Sequence, residues 1–232
     1  MNRLYIDCGS SRVKWGLFGR GCWLARGAHS DLEEIKAAWK HLEAASAIGS
    51  NVAGRALQES LESLRPDLEF SWIESKPDQC GVKNGYERPA QLGSDRWAAL
   101  IAARPHLPEG GLVVDLGTAA TIDILDREGA FEGGVILPGF SAMKEAIERK
   151  TVLKNDEGHF SFPPKNTSDA MHAGAIAALC GAVEKISRMT GLDRCVATGG
   201  DAEFVLPHLD MNAIMVDNLV LEGLVLISGD GA

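Results

Sequence analysis

The sequence lacks the features that bring a protein to nucleic acid or to a membrane. It contains no run of basic residues, and its formal net charge is -9. Such binding depends on clustered Lys and Arg, so neither nucleic acid nor an anionic membrane is expected as a partner. No stretch of about 18 uninterrupted apolar residues occurs, and the first residues show no basic and apolar leader pattern. We therefore expect a soluble, cytoplasmic protein.

Cysteine and histidine lack the spacing of a disulfide framework or a metal site. The five cysteines are odd in number and scattered, and none forms a Cys-x-x-Cys pair. This pattern fits reduced thiols, which we expect to be core residues. The six histidines show no His-x-x-x-His spacing, which argues against a zinc site. The cysteines are Cys8, Cys22, Cys80, Cys180 and Cys195.

Two common phosphate-binding motifs are absent, but a different device occurs twice. There is no Gly-x-x-x-x-Gly-Lys-Ser/Thr and no Gly-x-Gly-x-x-Gly. Residues 4–13 read LYIDCGSSRV and residues 112–121 read LVVDLGTAAT, each with Asp-x-Gly and a hydroxyl residue directly after apolar strand formers. The copies align at one constant offset and predict two related halves. The aligned pairs are Asp7 with Asp115, Gly9 with Gly117, and Ser10 with Thr118.

Helix and strand signals alternate along the chain, which is typical of an α/β protein. Ser30 and Glu33 have the spacing of a capping box, which predicts a helix from there to about Ala45. Another helix is predicted near Gly93, with Ser94 as a candidate N-cap. Further helices are predicted over residues 54–65 and from about Ser168 to Met189, ending at Gly191. Strands are predicted at residues 4–8, 13–18, 47–52, 68–73, 112–116, 120–125, 132–139 and 194–198.

A repeated Asp-x-Gly with an adjacent hydroxyl suits the binding of a phosphorylated ligand. The glycine lets backbone N–H groups approach an anion, and the hydroxyl adds a donor. The carboxylates of Asp7 and Asp115 repel phosphate, but they can hold hydrated Mg²⁺ or another cation that bridges to it. A single Asp-x-Gly is most often only a turn. Two copies in the same context predict a nucleotide held in a cleft between two lobes.

Six segments together carry a family resemblance: DCGSSRVKWG, GYERPAQLGSDRWAAL, DLGTAATID, GGVILPG, NTSDAMHAG and TGGDAEFVL. The arrangement resembles the superfamily of actin, sugar kinases and heat-shock ATPases, and within it type III pantothenate kinase. This resemblance spans nearly the whole chain. It implies an α/β fold of two ribonuclease-H-like lobes of duplicated topology with a nucleotide cleft between them. Residues 1–108 would carry the first phosphate motif and the GSDR segment, and residues 109–232 the second phosphate motif and the adenosine motif.

The resemblance also implies the reaction and its cofactors. A family member is expected to phosphorylate pantothenate with ATP, giving 4′-phosphopantothenate for coenzyme A synthesis. Mg²⁺ would accompany the ATP, and Asp115 would carry a monovalent cation, K⁺ or NH₄⁺. Gly199 and Gly200 fit the turn beside the adenosine. The residues implied to bind ATP are Asp7, Cys8, Gly9, Ser10, Ser11, Arg12, Val13, Lys14 and Thr118.

Asp95 is the residue that the resemblance makes the catalytic base. A carboxylate in the first turn of a helix also has a structural reason, because helix N-termini favour negative charge. As a base it would accept or orient the proton of the hydroxyl that attacks the γ-phosphate. The resemblance has Thr167 reach the acceptor bound to the partner subunit, so that a homodimer shares its active sites. The residues implied to line the pantothenate site are Tyr86, Gly93, Ser94, Asp95, Arg96 and Thr167.

Several of these residues keep a second interpretation. Lys14 either binds phosphate or is a solvated strand lysine, and Asp123 either assists Asp115 or faces solvent. Thr167 is equally suited to cap the long helix, although Ser168 or Asp169 would also serve. The small residues of that helix suit either a dimer interface or an ordinary core. They are Ala170, Ala173, Gly174, Ala177 and Ala178.

The first motif departs from the family pattern, and two other functions compete. Ser10 and Ser11 follow Gly9, where the family usually has Asn and then Thr or Ser, so the hydroxyl is kept and the amide is lost. Another small-molecule kinase is one alternative, since a fold does not fix the acceptor. A non-catalytic ATP-binding regulator is the other, and the retention of Asp95 opposes it.

Overall fold

The computed structural model describes residues 1–153 and 157–229. The chain folds into two units, each with its own sheet. The first unit holds Met1–His106, Gly129–Phe131 and the segment from Asn218 onward, and the second holds Leu107–Glu128 and Glu132–Asp217. The division predicted from the sequence places residues 129–131 and the segment from Asn218 onward in the second domain instead. The assignment of two domains stays a prediction.

A five-stranded sheet in the order β3-β2-β1-β4-β5 forms the centre of the first unit. The strand β2 lies between β1 and β3 and is antiparallel to both, whereas β4 is parallel to β1 and β5 is parallel to β4. The short strands β6 and β7 form an antiparallel pair, and β7 also pairs in parallel with residues 130–131 of β10. The strands are β1 Arg3–Cys8, β2 Val13–Gly19, β3 Cys22–His29, β4 Ser46–Asn51, β5 Glu69–Trp72, β6 Asp78–Gln79 and β7 Val82–Asn84.

The two faces of this sheet have different partners. Leu4 and Ile6 of β1 belong to a core that also holds residues of α1 and α2. On the opposite face, the hydroxyl of Tyr5 lies 2.7 Å from Oγ of Ser228 in α7, and α7 packs against α3. Gly223 allows this packing, because a Cβ there would overlap the backbone of Ala98. The helices are α1 Leu32–Trp39, α2 Arg55–Leu64, α3 Ser94–Ala103 and α7 Leu219–Ser228.

The predicted first helix is wrong at both ends. Its N-cap is Asp31, and not Ser30, because the Asp31 carboxylate accepts the N–H groups of Glu33 and Glu34. The helix ends at Trp39 and does not reach Ala45. The chain must already have turned by then, since β4 begins at Ser46, beside β1.

The strand order of the second unit repeats that of the first. Its strands follow the order β12-β11-β8-β9-β10, with β9 antiparallel to β8, and β11 and β12 parallel to it. Read from the far edge, β10-β9-β8-β11-β12 matches β3-β2-β1-β4-β5, so the predicted duplication is confirmed. The strands are β8 Gly111–Leu116, β9 Ala119–Leu125, β10 Ala130–Pro138, β11 Arg194–Thr198 and β12 Asn212–Met215.

One long helix covers the second sheet. Leu112, Val114 and Leu116 of β8 share a core with Ile176 and Leu179 of α5. The helix begins one residue before the predicted start and stops at Gly191, as predicted. Gly191 has the left-handed conformation common in helix C-caps. The helices of this unit are α4 Phe140–Lys150, α5 Thr167–Thr190 and α6 Ala202–Val205. Within the part of the chain that the structure describes, no helix has both the length and the hydropathy to cross a bilayer.

The expectation that all cysteines lie in the core is wrong for two of them. Cys8, Cys180 and Cys195 are buried, whereas Cys22 and Cys80 are exposed, and none is in a disulfide. Cys22 is the first residue of the edge strand β3, and Cys80 lies in the turn between β6 and β7. Both positions lie outside the packed interior because turns and sheet edges face solvent.

Candidate functional site

Asp7 lies at the C-terminal end of β1, on the face of the sheet that also carries Tyr5. It is directly opposite Lys14 on β2 and in register with Ser50 on β4. Residues paired in this way project from the same face, so the three side chains are neighbours. Asp7 is buried and Lys14 is half-buried. The cation of Lys14 is thus placed beside the end of β1.

The residues of the first motif divide into core and surface positions. The side chains of Cys8 and Val13 pack in the core with α1 and α2. Burial, and to a lesser extent the charge of Asp7, raises the pKa of Cys8 to about 12, so this thiol stays protonated. Ser10, Ser11 and Arg12 are exposed in the turn between β1 and β2. A ligand at the turn would meet those side chains, and only the backbone of Cys8 and Val13.

At two glycines of the repeated motifs, no atom of the described residues would obstruct a side chain. A Cβ on Gly9 would approach nothing closer than 3.4 Å, and one on Gly117 nothing closer than 3.6 Å. Neither residue has a left-handed φ. Alanine would therefore fit the folded backbone at both turns, and glycine leaves room that a Cβ would fill. Such room beside backbone N–H groups fits the close approach of an anion such as phosphate.

The start of α3 lies against the end of β4. Oγ of Ser94 lies 2.8 Å from Oγ of Ser50, and both residues are buried. The candidate N-cap was wrong: Gly93 is the N-cap, and Ser94 is the first helical residue. Its hydroxyl is directed to the sheet because β4 offers a buried hydroxyl as a partner. Since Ser50 is in register with Asp7, β4 links the first motif to the GSDR segment.

The carboxylate of Asp95 folds back over the start of its own helix. Its Oδ1 accepts the backbone N–H of Arg96 at 2.7 Å. A Cβ on Gly93 would lie 2.5 Å from the same oxygen, so this conformation depends on the glycine. Burial raises the pKa of Asp95, outweighing the opposing effects of the Arg96 amide and the Arg96 charge. A carboxylate with a raised pKa is a better proton acceptor than an exposed one.

Arg96 is a buried cation held among aromatic rings. Its Nη1 donates to the hydroxyl of Tyr86 at 3.1 Å. Its guanidinium carbon lies 5.7 Å from the ring centre of Phe131 and 5.8 Å from that of Tyr86, within the range of cation–π attraction. The loop that carries Tyr86 is anchored by Asn84, whose side chain accepts the Tyr86 N–H and donates to the Pro89 carbonyl. Arg96 and Tyr86 are thus brought together, as the sequence analysis grouped them.

The second motif occupies the equivalent place in the second unit. Asp115 lies at the end of β8, paired with Thr121 on β9 and Thr198 on β11. It is on the opposite face from the core formed with α5. Asp123 lies on the same face as Asp115 and is 1% exposed, so the interpretation that it faces solvent is wrong.

Two further segments meet at the turn after β8. The N–H of Gly139, the N-cap of α4, donates to the carbonyl of Thr118. A Cβ on Gly139 would overlap the carbonyl of Gly117. Gly199 has a φ of 106° and equally lacks room for a Cβ against Leu116. Glycine is required here by both backbone conformation and space. The double-glycine turn is therefore fixed beside the second motif, with the exposed side chain of Thr118 next to it.

Thr167 does not cap α5. The N-cap is Asn166, whose side chain accepts the N–H of Asp169 at 2.8 Å, so the capping candidates Thr167, Ser168 and Asp169 are wrong. Asp169 instead accepts from Asn166 and from the backbone of His159. The side chain of Thr167 is exposed at the start of the helix.

Sequence reasoning missed Ser50 and Phe131. A serine near the end of an otherwise buried strand was a weak signal for Ser50. Phe131 carried no signal, because only the fold returns residues 129–131 to the first unit.

The fold and the two motifs define the class of the protein. A duplicated ribonuclease-H-like sheet, with an acidic strand end and a glycine turn in each copy, is the architecture of actin, sugar kinases and heat-shock ATPases. Two solved structures share it. A Campylobacter jejuni protein, provisionally named a Baf family transcriptional activator, has a TM-score of 0.69 at 24% identity, with 98% of each chain covered. A Sinorhizobium meliloti protein, provisionally named a 2-dehydro-3-deoxygalactonokinase, has a TM-score of 0.64 at 15% identity, covering 98% of this chain and 96% of that one.

Sequence similarity identifies the family within this class. The sequence profile described as type III pantothenate kinase matches residues 3–189. A type III pantothenate kinase from Nitrosospira multiformis is 41% identical over 236 residues, which cover 97% of this chain and 90% of the relative. The chain belongs to the type III pantothenate kinase family.

Proposed function

We propose that this protein transfers the γ-phosphoryl group of ATP to the primary hydroxyl of pantothenate, giving 4′-phosphopantothenate, in the cytoplasm. The carrying observation is Asp95: a half-buried carboxylate with a raised pKa, at the start of a helix that is bonded to the strand beside Asp7. Family membership supplies the acceptor. Phosphoryl transfer needs mainly positioning and charge neutralisation, so no covalent enzyme intermediate is required.

The two glycine turns would bind the phosphates. Backbone N–H groups around Gly9 offer donors, and so do the side chains of Ser10, Ser11 and Thr118. Arg12 and Lys14 offer cations. Asp7 and Asp115 fit cations, because carboxylate oxygens are preferred ligands of hard metal ions. We assign Mg²⁺ to the ATP and a monovalent cation, K⁺ or NH₄⁺, to Asp115. Bound cations would neutralise the charge that develops on the transferred group.

Asp95 and Arg96 would bind the acceptor. Asp95 would accept or orient the proton of the pantothenate hydroxyl, and Arg96 would pair with the pantothenate carboxylate. The hydrogen bond and ring contacts from Tyr86 hold the guanidinium in one place, so less side-chain entropy is lost on binding. Gly93 and Ser94 would shape the same site through the backbone of the helix start.

A homodimer would complete the site through Thr167. The exposed side chain of Thr167 begins a helix whose outer face carries small residues. That face lines an apolar groove of about 470 Å³, next to the 88%-exposed Phe162. A second copy of the chain would cover this groove, since large exposed apolar patches commonly mark protein interfaces. Its lining includes Phe160, Phe162, Ala170, Gly174, Ala177 and Gly181.

The reaction is tested by ADP release with pantothenate and Mg·ATP, in K⁺ and in Na⁺ buffer. Turnover should require pantothenate, be faster in K⁺, and collapse in Asp95→Asn while ATP binding persists. Turnover with a different acceptor, or ATP binding without any turnover, would contradict the proposal.

Shared sites are tested by mixing two impaired variants, assayed at a pantothenate concentration far below the raised KM that we expect for Thr167→Ala. Asp95→Asn and Thr167→Ala chains, refolded together in equal amounts, form mixed dimers in which one site carries both changes and the other carries neither. If sites are shared, about a quarter of wild-type activity returns, because half the dimers are mixed and each has one intact site. No recovery, with mixed dimers shown by mass spectrometry, would contradict a shared site.

A further inference from the structure

A pair of buried hydroxyl groups joins the strand beside Asp7 to the helix that carries Asp95. Oγ of Ser50 and Oγ of Ser94 lie 2.8 Å apart, and their residues are 0% and 9% exposed. Ser50 is the register partner of Asp7, and Ser94 directly precedes Asp95. The pair is thus one residue from the proposed base and one strand from the first phosphate motif.

Packing alone does not explain two hydroxyls at this point. Alanine would fill nearly the same volume in a buried strand, and a buried hydroxyl is unfavourable unless it is hydrogen-bonded. A hydrogen bond has a fixed length and direction, which an apolar contact between methyl groups lacks. The Ser50–Ser94 bond therefore fixes both the distance and the rotation of the first helical turn relative to β4.

Other side chains also anchor this turn: Nη1 of Arg96 donates to the Tyr86 hydroxyl, and Nε1 of Trp97 donates to Oε1 of Gln79. Its N-cap is Gly93, which has no side chain with which to anchor the helix start. The residue before it is held by Ser75, whose hydroxyl donates to the Leu92 carbonyl. The Ser50 hydroxyl adds the contact that ties Ser94, and through it Asp95, to β4, the strand beside Asp7.

We propose that Ser50 is a positioning residue for phosphoryl transfer: through Ser94 it holds the Asp95 carboxylate at a fixed place relative to the end of β1. This inference rests on the proposed function, because it takes Asp95 as the base and Asp7 as part of the phosphate site. Ser50 itself touches neither substrate. Its effect should therefore fall on kcat more than on KM for ATP.

The test is the double variant Ser50→Ala with Ser94→Ala, which removes both hydroxyls and leaves neither one buried and unpaired. Its melting temperature should stay closer to wild type than that of either single variant. Tyr5→Phe with Ser228→Ala is the matched control, because it removes another hydroxyl pair between the same sheet and the neighbouring helix α7. Two measurements are made on each protein: steady-state kinetics, and hydrogen–deuterium exchange of the amides of residues 95–98.

The expected result is faster exchange at the start of α3 and a fall in kcat of about ten- to a hundredfold, with KM for ATP little changed. The control should show neither effect. Wild-type exchange and wild-type kcat in the double variant would overturn the inference, as would equal losses in the control. A wild-type protein that does not phosphorylate pantothenate would contradict the proposed function instead. The exchange rates would then still decide whether Ser50 holds the start of α3.

Discussion

At the start of α3, Oδ1 of Asp95 occupies the space that a side chain on Gly93 would need: a Cβ on Gly93 would lie 2.5 Å from this oxygen. The φ of Gly93 is -55°, which any residue can adopt. Conformational freedom therefore does not explain the glycine. An added side chain would displace the carboxylate, which is the flexible partner, and leave the backbone in place.

Gly93→Ala should reduce kcat by about a hundredfold, because it moves the proposed base without removing it. The fold should lose only about 1 kcal/mol, the usual cost of alanine at an N-cap. Steady-state kinetics and thermal unfolding measure the two effects. In an Asp95→Ala background the glycine substitution should lower the residual rate no further. An additional loss there would show that Gly93 acts by another route.

The pH dependence of kcat should reflect the environment of Asp95. Burial raises the pKa of this carboxylate above the ordinary value of 3.8, and the base must be ionised to accept a proton. The rate should therefore fall on acidification at a pH above 3.8. A kcat profile measured from acid to neutral pH locates the limb. If the acidic limb of the kcat profile lies at the ordinary carboxyl pKa, or does not move in Asp95→Glu, then another group controls the rate.

Asp95→Asn should make the protein more stable at neutral pH while inactivating it. A carboxyl whose pKa is raised on folding contributes most stability below its unfolded pKa, and that contribution is lost as pH rises through the folded pKa. Asparagine removes this penalty at neutral pH. At pH 7 the variant should have a higher melting temperature than wild type, by about 2–4 °C for each kcal/mol of unfolding free energy gained. The difference in melting temperature should shrink towards pH 3. A lower melting temperature at pH 7 would contradict the assigned cause of the shift.

Phe131→Leu should weaken acceptor binding. It keeps an apolar side chain but removes the ring beneath the Arg96 guanidinium, so KM for pantothenate should rise about three- to tenfold. KM for ATP should change little. Phe70→Leu is the control, since Phe70 belongs to a ring pair with Trp72 in the same unit. Equal changes in KM for both substrates, or in both variants, would show only a general loss of packing.

Substitution of Asn166 should affect stability, whereas substitution of the adjacent Thr167 should affect activity. Asn166→Ala removes the N-cap of α5 and should cost about 1 kcal/mol of unfolding free energy. Thr167→Ala should leave the melting temperature unchanged and raise KM for pantothenate. Differential scanning calorimetry and kinetics on both variants test this. The reverse pattern would mean that Thr167 stabilises the helix start after all.

The sequence predicted the parts of the fold that depend on local patterns. Both motif-bearing strand pairs stand out because apolar strands end in Asp-x-Gly, and α5 because Gly191 marks its end. The strand β12 was missed because it has only four residues and shows no alternation of polar and apolar side chains. The cap at Asp31 was missed because two neighbouring residues are both good caps, and only geometry decides between them.

The candidate site was predictable where neighbouring residues in sequence act together, as in the GSDR segment. It was not predictable where distant segments meet. Ser50 gains its importance from the register of β4 with β1, and Phe131 from the return of three residues to the first unit. Neither relation leaves a periodic or compositional pattern in the chain.

The place of α7 in the first unit sets an order of events during protein synthesis. The ribosome adds roughly 5–20 residues per second, and domains generally fold as units as they emerge. The partner of α3 is made of Leu219–Ser228, so the helix with Asp95 has an uncovered apolar face while the whole second unit is translated. The first unit to emerge is therefore completed only after the second has been made, and the nascent chain depends on Leu219–Ser228 to close it.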